Sequence, residues 1–242
     1  VTSVGKYDLV VVIPPAKISS IIYGPSFPLP PQDSSGMVNS GVVFNGVVGG
    51  ADQRTRSTRW IWLAHEVGHD FGMEHQFTYD GQAIWDLMNN VYYATAPELL
   101  AWNRFKLNWL DQSNVKCLDK TDISISPVNV FISPIEKQDK AYKLTLIKIS
   151  ETQAIAIESR RILGFDTLDG QNSLSGILVY LVDVSKDSNQ GAITIIPGQS
   201  NSMASASRLA GTIHVGETVN YQGINISFIK SELQGDYISI KQ

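Results

Sequence analysis

His65-Glu66-Val67-Gly68-His69-Asp70-Phe71-Gly72-Met73-Glu74-His75 holds three of the four histidines in a chain of 242 residues. The pattern is H-E-x-x-H-x-x-G-x-x-H. An α-helix advances about 100° per residue, so residues four apart share a face, one turn apart. His65 and His69 therefore point the same way and can share one metal ion; neutral imidazole is a common zinc ligand. Glu66 projects from an adjacent part of that face. It can reach a water at the metal without occupying the metal, as a general base must. Gly72 follows three residues after His69. Glycine takes positive φ at little cost, so the helix can end there and the chain can turn sharply. His75 then approaches the same ion from another direction. Three histidines leave the fourth corner of a tetrahedron open, which marks a catalytic rather than a structural zinc site. Zinc so held acidifies a water and polarises a substrate carbonyl.

The flanking sequence agrees with a helix. Arg59-Trp60-Ile61-Trp62-Leu63-Ala64 is apolar, and Ser57 or Thr58 can serve as its N-cap. His65 and His69 are expected on a largely buried helix, as a rigid site requires. A lone histidine on an apolar face is more often a core residue, and a bare H-E-x-x-H arises by chance. The longer pattern is more restrictive because two further positions must match.

Asp86-Leu87-Met88 follows the third histidine after a short loop, Gln76 to Trp85. Next comes Pro97-Glu98-Leu99-Leu100-Ala101-Trp102-Asn103-Arg104-Phe105-Lys106-Leu107-Asn108-Trp109-Leu110, which reads as an amphipathic helix. The zinc motif resembles that of the metzincin metalloproteases, whose second hallmark is a methionine turn beneath the metal. Met88 looks like that methionine; the plain alternative is a core residue. The helix over 97–110 is similar to one in the secreted bacterial immune-inhibitor-A-like metalloproteases. Asn108 stands where that family usually has glycine, and Asn also takes the left-handed conformation at a helix end. Ala154 to Arg160 and Gly176 to Asp183 are similar to that family's downstream β region.

The resemblance implies a secreted, extracellular zinc-dependent endopeptidase with a protein or peptide substrate. Zn2+ would be held by His65, His69 and His75, with Glu66 as general base and Met88 in the turn. Many metzincins place a tyrosine two residues after that methionine to support the tetrahedral intermediate. Here the position is Asn90, which can donate a hydrogen bond to an oxyanion. Tyr92 and Tyr93 lie close by, as substitutes for that tyrosine or as packing residues. The family resemblance also implies an export signal and pro-segment upstream of Val1.

Composition excludes other classes. With 19 Lys and Arg against 23 Asp and Glu, the net charge is −4 and no basic stripe exists, so nucleic acid is not an expected partner. No run of eighteen apolar residues occurs, so no membrane span is expected. Cys117 is the only cysteine, which excludes an intrachain disulfide and a cysteine-based zinc site. It is expected to be a buried small residue.

The chain divides near 112–120. Before it, Tyr7 to Ile13 reads as a buried strand ended by Pro14-Pro15. Ser40 to Gly50 reads as a strand or strand pair, with 42–50 as an exposed edge on which an extended substrate can pair. After it, period-two runs at 123–126, 143–149, 153–159, 176–183, 192–196, 212–220, 224–229 and 236–240 suggest an antiparallel sandwich. The expected fold class is α+β. A metzincin-like catalytic domain over 1–114 has a mixed sheet, the zinc-binding helix and a C-terminal helix. An antiparallel β-sandwich-like domain follows over 115–242. Asp183, Asp187 and the pair Asp166 and Asp169 are candidates for Ca2+, which takes oxygen ligands, although none forms an EF-hand loop. His214 reads as structural. The competing functional readings are a β-rich surface protein that binds glycan or protein on an inactive protease scaffold, and a zinc hydrolase acting on a non-peptide substrate. The first is disfavoured because Glu66 and all three histidines are intact.

Overall fold

A computed structural model describes residues 9–12, 26–27, 40–43, 59–77, 85–89, 98–169, 175–198 and 211–242. The elements in chain order begin with β1 (Leu9–Val12), β2 (Ser26–Phe27), β3 (Ser40–Val43), α1 (Arg59–Asp70), α2 (Ala101–Lys106), β4 (Val115–Leu118), α3 (Lys120–Ser124) and β5 (Val128–Ile132). They continue with β6 (Leu144–Lys148), β7 (Gln153–Arg160), β8 (Gly176–Asp183), β9 (Ile193–Ile195), β10 (Thr212–Ile213), β11 (Thr218–Tyr221), β12 (Ile224–Ser231) and β13 (Asp236–Lys241). The fold is mixed α+β, mostly sheet with few helices. Three sheets have the orders β1-β3-β2, β10-β8-β7-β6-β4 with β9 beside β8, and β11-β12-β13-β5. Pairing is antiparallel except for β1 with β3 and β4 with β6. Among the described residues no helix is long and apolar enough to cross a membrane.

Strand alternation sends side chains to two cores. Ile177 and Val179 of β8, with Ile155 and Ile157 of β7, join Val130, Ile132, Ile226, Phe228, Ile238 and Ile240 from the four-stranded sheet in one apolar cluster. Their neighbours Leu178, Tyr180, Val182 and Ala156 point to the other face. There they meet Phe77, Trp85, Leu100 and Ala101 from the zinc-motif half. β7 and β8 are therefore covered on both sides, which suits their continuous apolar sequence. The second cluster runs across the 114/115 boundary drawn from sequence.

Several local expectations change. The helix expected over 97–110 has only the six residues of α2, because Leu100 is extended at φ −53° and ψ 146°. Its end does follow expectation, with Asn108 at φ 56°. The run 123–126 alternates, yet Ile123 and Ser124 lie in α3. Asp119 and Asp122 form a reciprocal capping box that fixes a helix start there. Gly216, at φ 89°, splits 212–220 into β10 and β11. Val42 is paired on both sides, with Val11 of β1 and Ser26 of β2, and so is not a free edge. β3 is the middle strand of its sheet, with β1 along one side and β2 along the other; residues 44–50 lie outside the described residues. Cys117 is exposed rather than buried. It sits on β4, which among the described residues is an edge strand paired only with β6. The remaining strand expectations meet β1, β6, β7, β8, β9, β12 and β13 within a few residues.

Why α2 begins where it does is a question of hydrogen-bond donors. The first N–H groups of a helix have no partner within it, and Leu100 supplies no side-chain cap. Distant side chains take that place. Leu100 N donates to Asp86 Oδ2 at 2.7 Å and Ala101 N to Glu158 Oε2 at 2.7 Å. Trp102 N donates to the Tyr180 hydroxyl at 3.3 Å, which itself donates to Glu158 Oε2 at 2.8 Å. Just upstream, Glu98 N donates to Asp166 Oδ1 at 2.7 Å. Two of these acceptors converge on Arg160, whose guanidinium meets Glu158 at 3.0 Å and Asp166 at 2.8 Å, with Glu136 at 3.5 Å. The Trp85 ring covers it at 5.9 Å. Burial opposes the Arg160 charge, but Asp166, Glu158 and Glu136 together hold it charged. Burial pushes the Glu136 carboxyl above its ordinary range, against the pull of Arg160.

Replacing Arg160 with Met leaves buried carboxylates without their cation. The expected loss is about 3–5 kcal/mol of unfolding free energy, read from urea denaturation at pH 7. A loss under about 1 kcal/mol, the scale of an exposed pair, removes Arg160 from this role.

Candidate metal centre

α1 ends where the glycine requires. Gly72 has φ 82°, Gly72 N donates to His69 O at 2.9 Å, and Met73 N donates to Gly68 O at 3.1 Å. This pair of bonds is a Schellman ending, and its two acceptors are carbonyls the helix would otherwise leave free. The turn returns the chain toward the helix. The two candidate N-cap residues, Ser57 and Thr58, lie outside the described residues.

The three imidazoles converge. His65 Nε2 lies 3.0 Å from His75 Nε2 and 3.1 Å from His69 Nε2. Ring centroids are 4.7–5.1 Å apart. Each of two rings is oriented from behind. His65 Nδ1 donates to Leu87 O at 2.8 Å, and His69 Nδ1 to Met73 O at 2.7 Å. A carbonyl only accepts, so in the neutral rings the proton sits on Nδ1 and Nε2 carries a bare lone pair. Two bare nitrogens thus face each other at 3.1 Å, an arrangement that repels unless a cation lies between them. Ligand nitrogens around a tetrahedral zinc, each at about 2.0–2.1 Å, stand roughly 3.3 Å apart. The donor set and its spacing fit a zinc ion. Backbone carbonyls behind metal-binding imidazoles are the usual way their tautomer is fixed.

Burial favours the neutral form of two of these rings, His65 and His75. Burial lowers the His65 pKa to about 4, against the raising effect of the Leu87 carbonyl and with help from His69 and His75. Burial also lowers His75, with His69 adding to it. Glu66 is buried, 6% exposed, on the same helix.

Beneath the helix, residues Leu87–Asn89 form a single 3-10 turn. Met88 is 1% exposed and clusters with Met73 and Leu99. A Cβ added at Gly68 would meet Met88 Sδ at 2.4 Å, so the glycine inside the motif makes room for the methionine. The turn itself is tied by Met88 N donating to Asp86 Oδ1 at 2.8 Å.

Asn90, Tyr92 and Tyr93 lie outside the described residues. His214 is exposed on the connection between β10 and β11. The calcium candidates have protein partners: Asp183 accepts from Ser185 and Gln153, and Asp166 from Arg160 and Glu98. Asp187 is exposed, and the Asp169 side chain lies outside the described residues. Among the described residues, the histidine triad is the one cluster of three or more metal-binding side chains. Sequence reasoning did not single out Asp86, Asn103, Gln76, Glu158 or Arg160. A charged pair closing the apolar run Ala154 to Ile157 was the available signal for the last two. No family model, curated protein or solved structure matches the chain.

Two outcomes follow. Gly68→Ala forces Met88 off its seat and costs about 1–3 kcal/mol, read as a lowered thermal midpoint of chelator-treated protein. The His65 pKa, about 4 when folded, lies below the ordinary 6.5. Protons are then taken up by the unfolded chain first. The stability from a neutral His65 is present above pH 6.5 and is lost as pH falls through 6.5 toward 4. Metal-free protein unfolded in urea at pH 7.5, 5.5 and 4.5 should show this decline, and His65→Gln should flatten it.

Proposed function

We propose that this chain is a secreted zinc-dependent endopeptidase of the metzincin type, similar to the immune-inhibitor-A-like enzymes. On this reading residues 1–114 form the catalytic part, followed by a β-sandwich-like part over 115–242. The observation that carries the reading is the meeting of three Nε2 atoms, two of them with the tautomer fixed by a backbone carbonyl. His65, His69 and His75 would hold the ion, which when bound supplies Lewis-acid polarisation of a carbonyl and acidifies a water.

The chain's own groups do the rest. Glu66 takes a proton from the attacking water and passes it to the leaving amine nitrogen. Its burial raises the local strength of that charge by limiting water around it. The Leu87 and Met73 carbonyls keep the His65 and His69 rings from turning. Burial favours neutral His65 and His75, in which a ring nitrogen is left free to bind the ion. Protein and peptide are the substrate class.

Glu66→Ala tests the mechanism directly. It should abolish hydrolysis of a peptide library while the protein still takes up one equivalent of zinc. The unaltered chain should cleave the same library and stop when a chelator is added. Cleavage by the Glu66→Ala protein, or cleavage unaffected by chelator, would sink the assignment.

A further inference from the structure

Asp86 is wholly buried, 0% exposed, and its hydrogen bonds go to Met88, Leu100 and Asn103 rather than to a histidine. Its two oxygens nevertheless reach the supports of two of them. Oδ1 accepts from Met88 N at 2.8 Å, which closes the turn over Leu87. An aspartate bonding the backbone two residues on is a local turn lock. That lock aims the Leu87 carbonyl, which receives His65 Nδ1 at 2.8 Å. Oδ2 accepts from Leu100 N at 2.7 Å and from Asn103 Nδ2 at 2.8 Å. The Asn103 amide is thereby oriented, with its oxygen accepting from Gln76 Nε2 at 2.6 Å. Gln76 is the residue after His75. Its own carbonyl accepts from Ile193 N at 2.8 Å, and the His75 carbonyl accepts from Asn189 N at 2.7 Å.

We infer that Asp86 is the positioning residue of the metal centre, setting His65 through the Leu87–Met88 turn and His75 through Asn103 and Gln76. This rests on the zinc reading given above. The assignment uses the polarity of each bond. Every contact at Asp86 comes from an N–H, so both oxygens must be bare acceptors, and only a carboxylate offers that at this size. In Asp86→Asn an NH2 group faces at least one existing donor, either Met88 N or the pair Leu100 N and Asn103 Nδ2. The turn and the Asn103 amide then cannot both keep their places. Asn103 and Gln76 are 0% and 5% exposed, so neither finds water as a substitute.

Zinc affinity of metal-free protein, measured by competition with a chromophoric chelator, tests this without any assay of activity. The absorption spectrum of the Co2+-loaded protein reports ligand geometry alongside it. Asp86→Asn and Gln76→Leu should each weaken zinc binding by about tenfold or more and shift the Co2+ bands, the scale seen when groups behind metal ligands are removed. Ile226→Ala, in the apolar cluster between the two larger sheets, should lower thermal stability and leave zinc affinity and the Co2+ spectrum unchanged. If Asp86→Asn fails to fold, Gln76→Leu carries the test, because it keeps the turn and breaks only the His75 branch. Wild-type affinity and spectrum in both variants overturn the positioning role while leaving the zinc reading intact. No zinc uptake by the unaltered chain overturns the zinc reading, and this inference with it.

Discussion

The first turn of α2 presents backbone N–H groups that its own sequence cannot satisfy, and their capture by Asp86, Glu158 and Tyr180 is the contact on which the rest depends. A six-residue helix is too short to persist alone in water. Here it is held by buried acceptors, two of them carboxylates at the positive end of its dipole. Without that capture α2 has no reason to start at Ala101. The apolar side chains it carries would then have no fixed place on the sheet.

The same capture joins chemistry to scaffold. Glu158 and Tyr180 belong to β7 and β8, whose opposite faces build the core shared with the four-stranded sheet. Asp86 lies one residue from the carbonyl that orients His65. A buried polar layer therefore lies between the histidines and the central sheet, with Arg160 supplying its positive charge. Such layers are stable only when nearly every member has a partner, and this one is nearly complete. The exceptions among its atoms are Glu136 Oε2, Gln76 Oε1 and Arg160 Nε.

Local signals were legible in sequence and long-range ones were not. The histidine spacing, the positive φ at Gly72 and the left-handed Asn108 depend on neighbours a few residues away, and each was readable. β8 was readable because its apolar run has the length and composition of a strand covered on both faces. The start of α2 was not, since Glu158 and Tyr180 lie far along the chain. The alternation at 123–126 misled because a capping box outweighs two apolar residues at strand spacing. Cys117 misled because burial depends on which strand is the edge, and strand order is not written in local periodicity.

The bonds from Asn189 to the His75 carbonyl and from Ile193 to the Gln76 carbonyl tie the third histidine to a segment far along the chain. A chain made from its N-terminus exposes all three histidines well before the segment that fixes the third one exists. The groups that cap α2 also arrive late. The candidate metal centre therefore lacks part of its framework until residues 189–193 have been made. On the proposed reading, that delay separates synthesis from activity by the geometry of the fold alone.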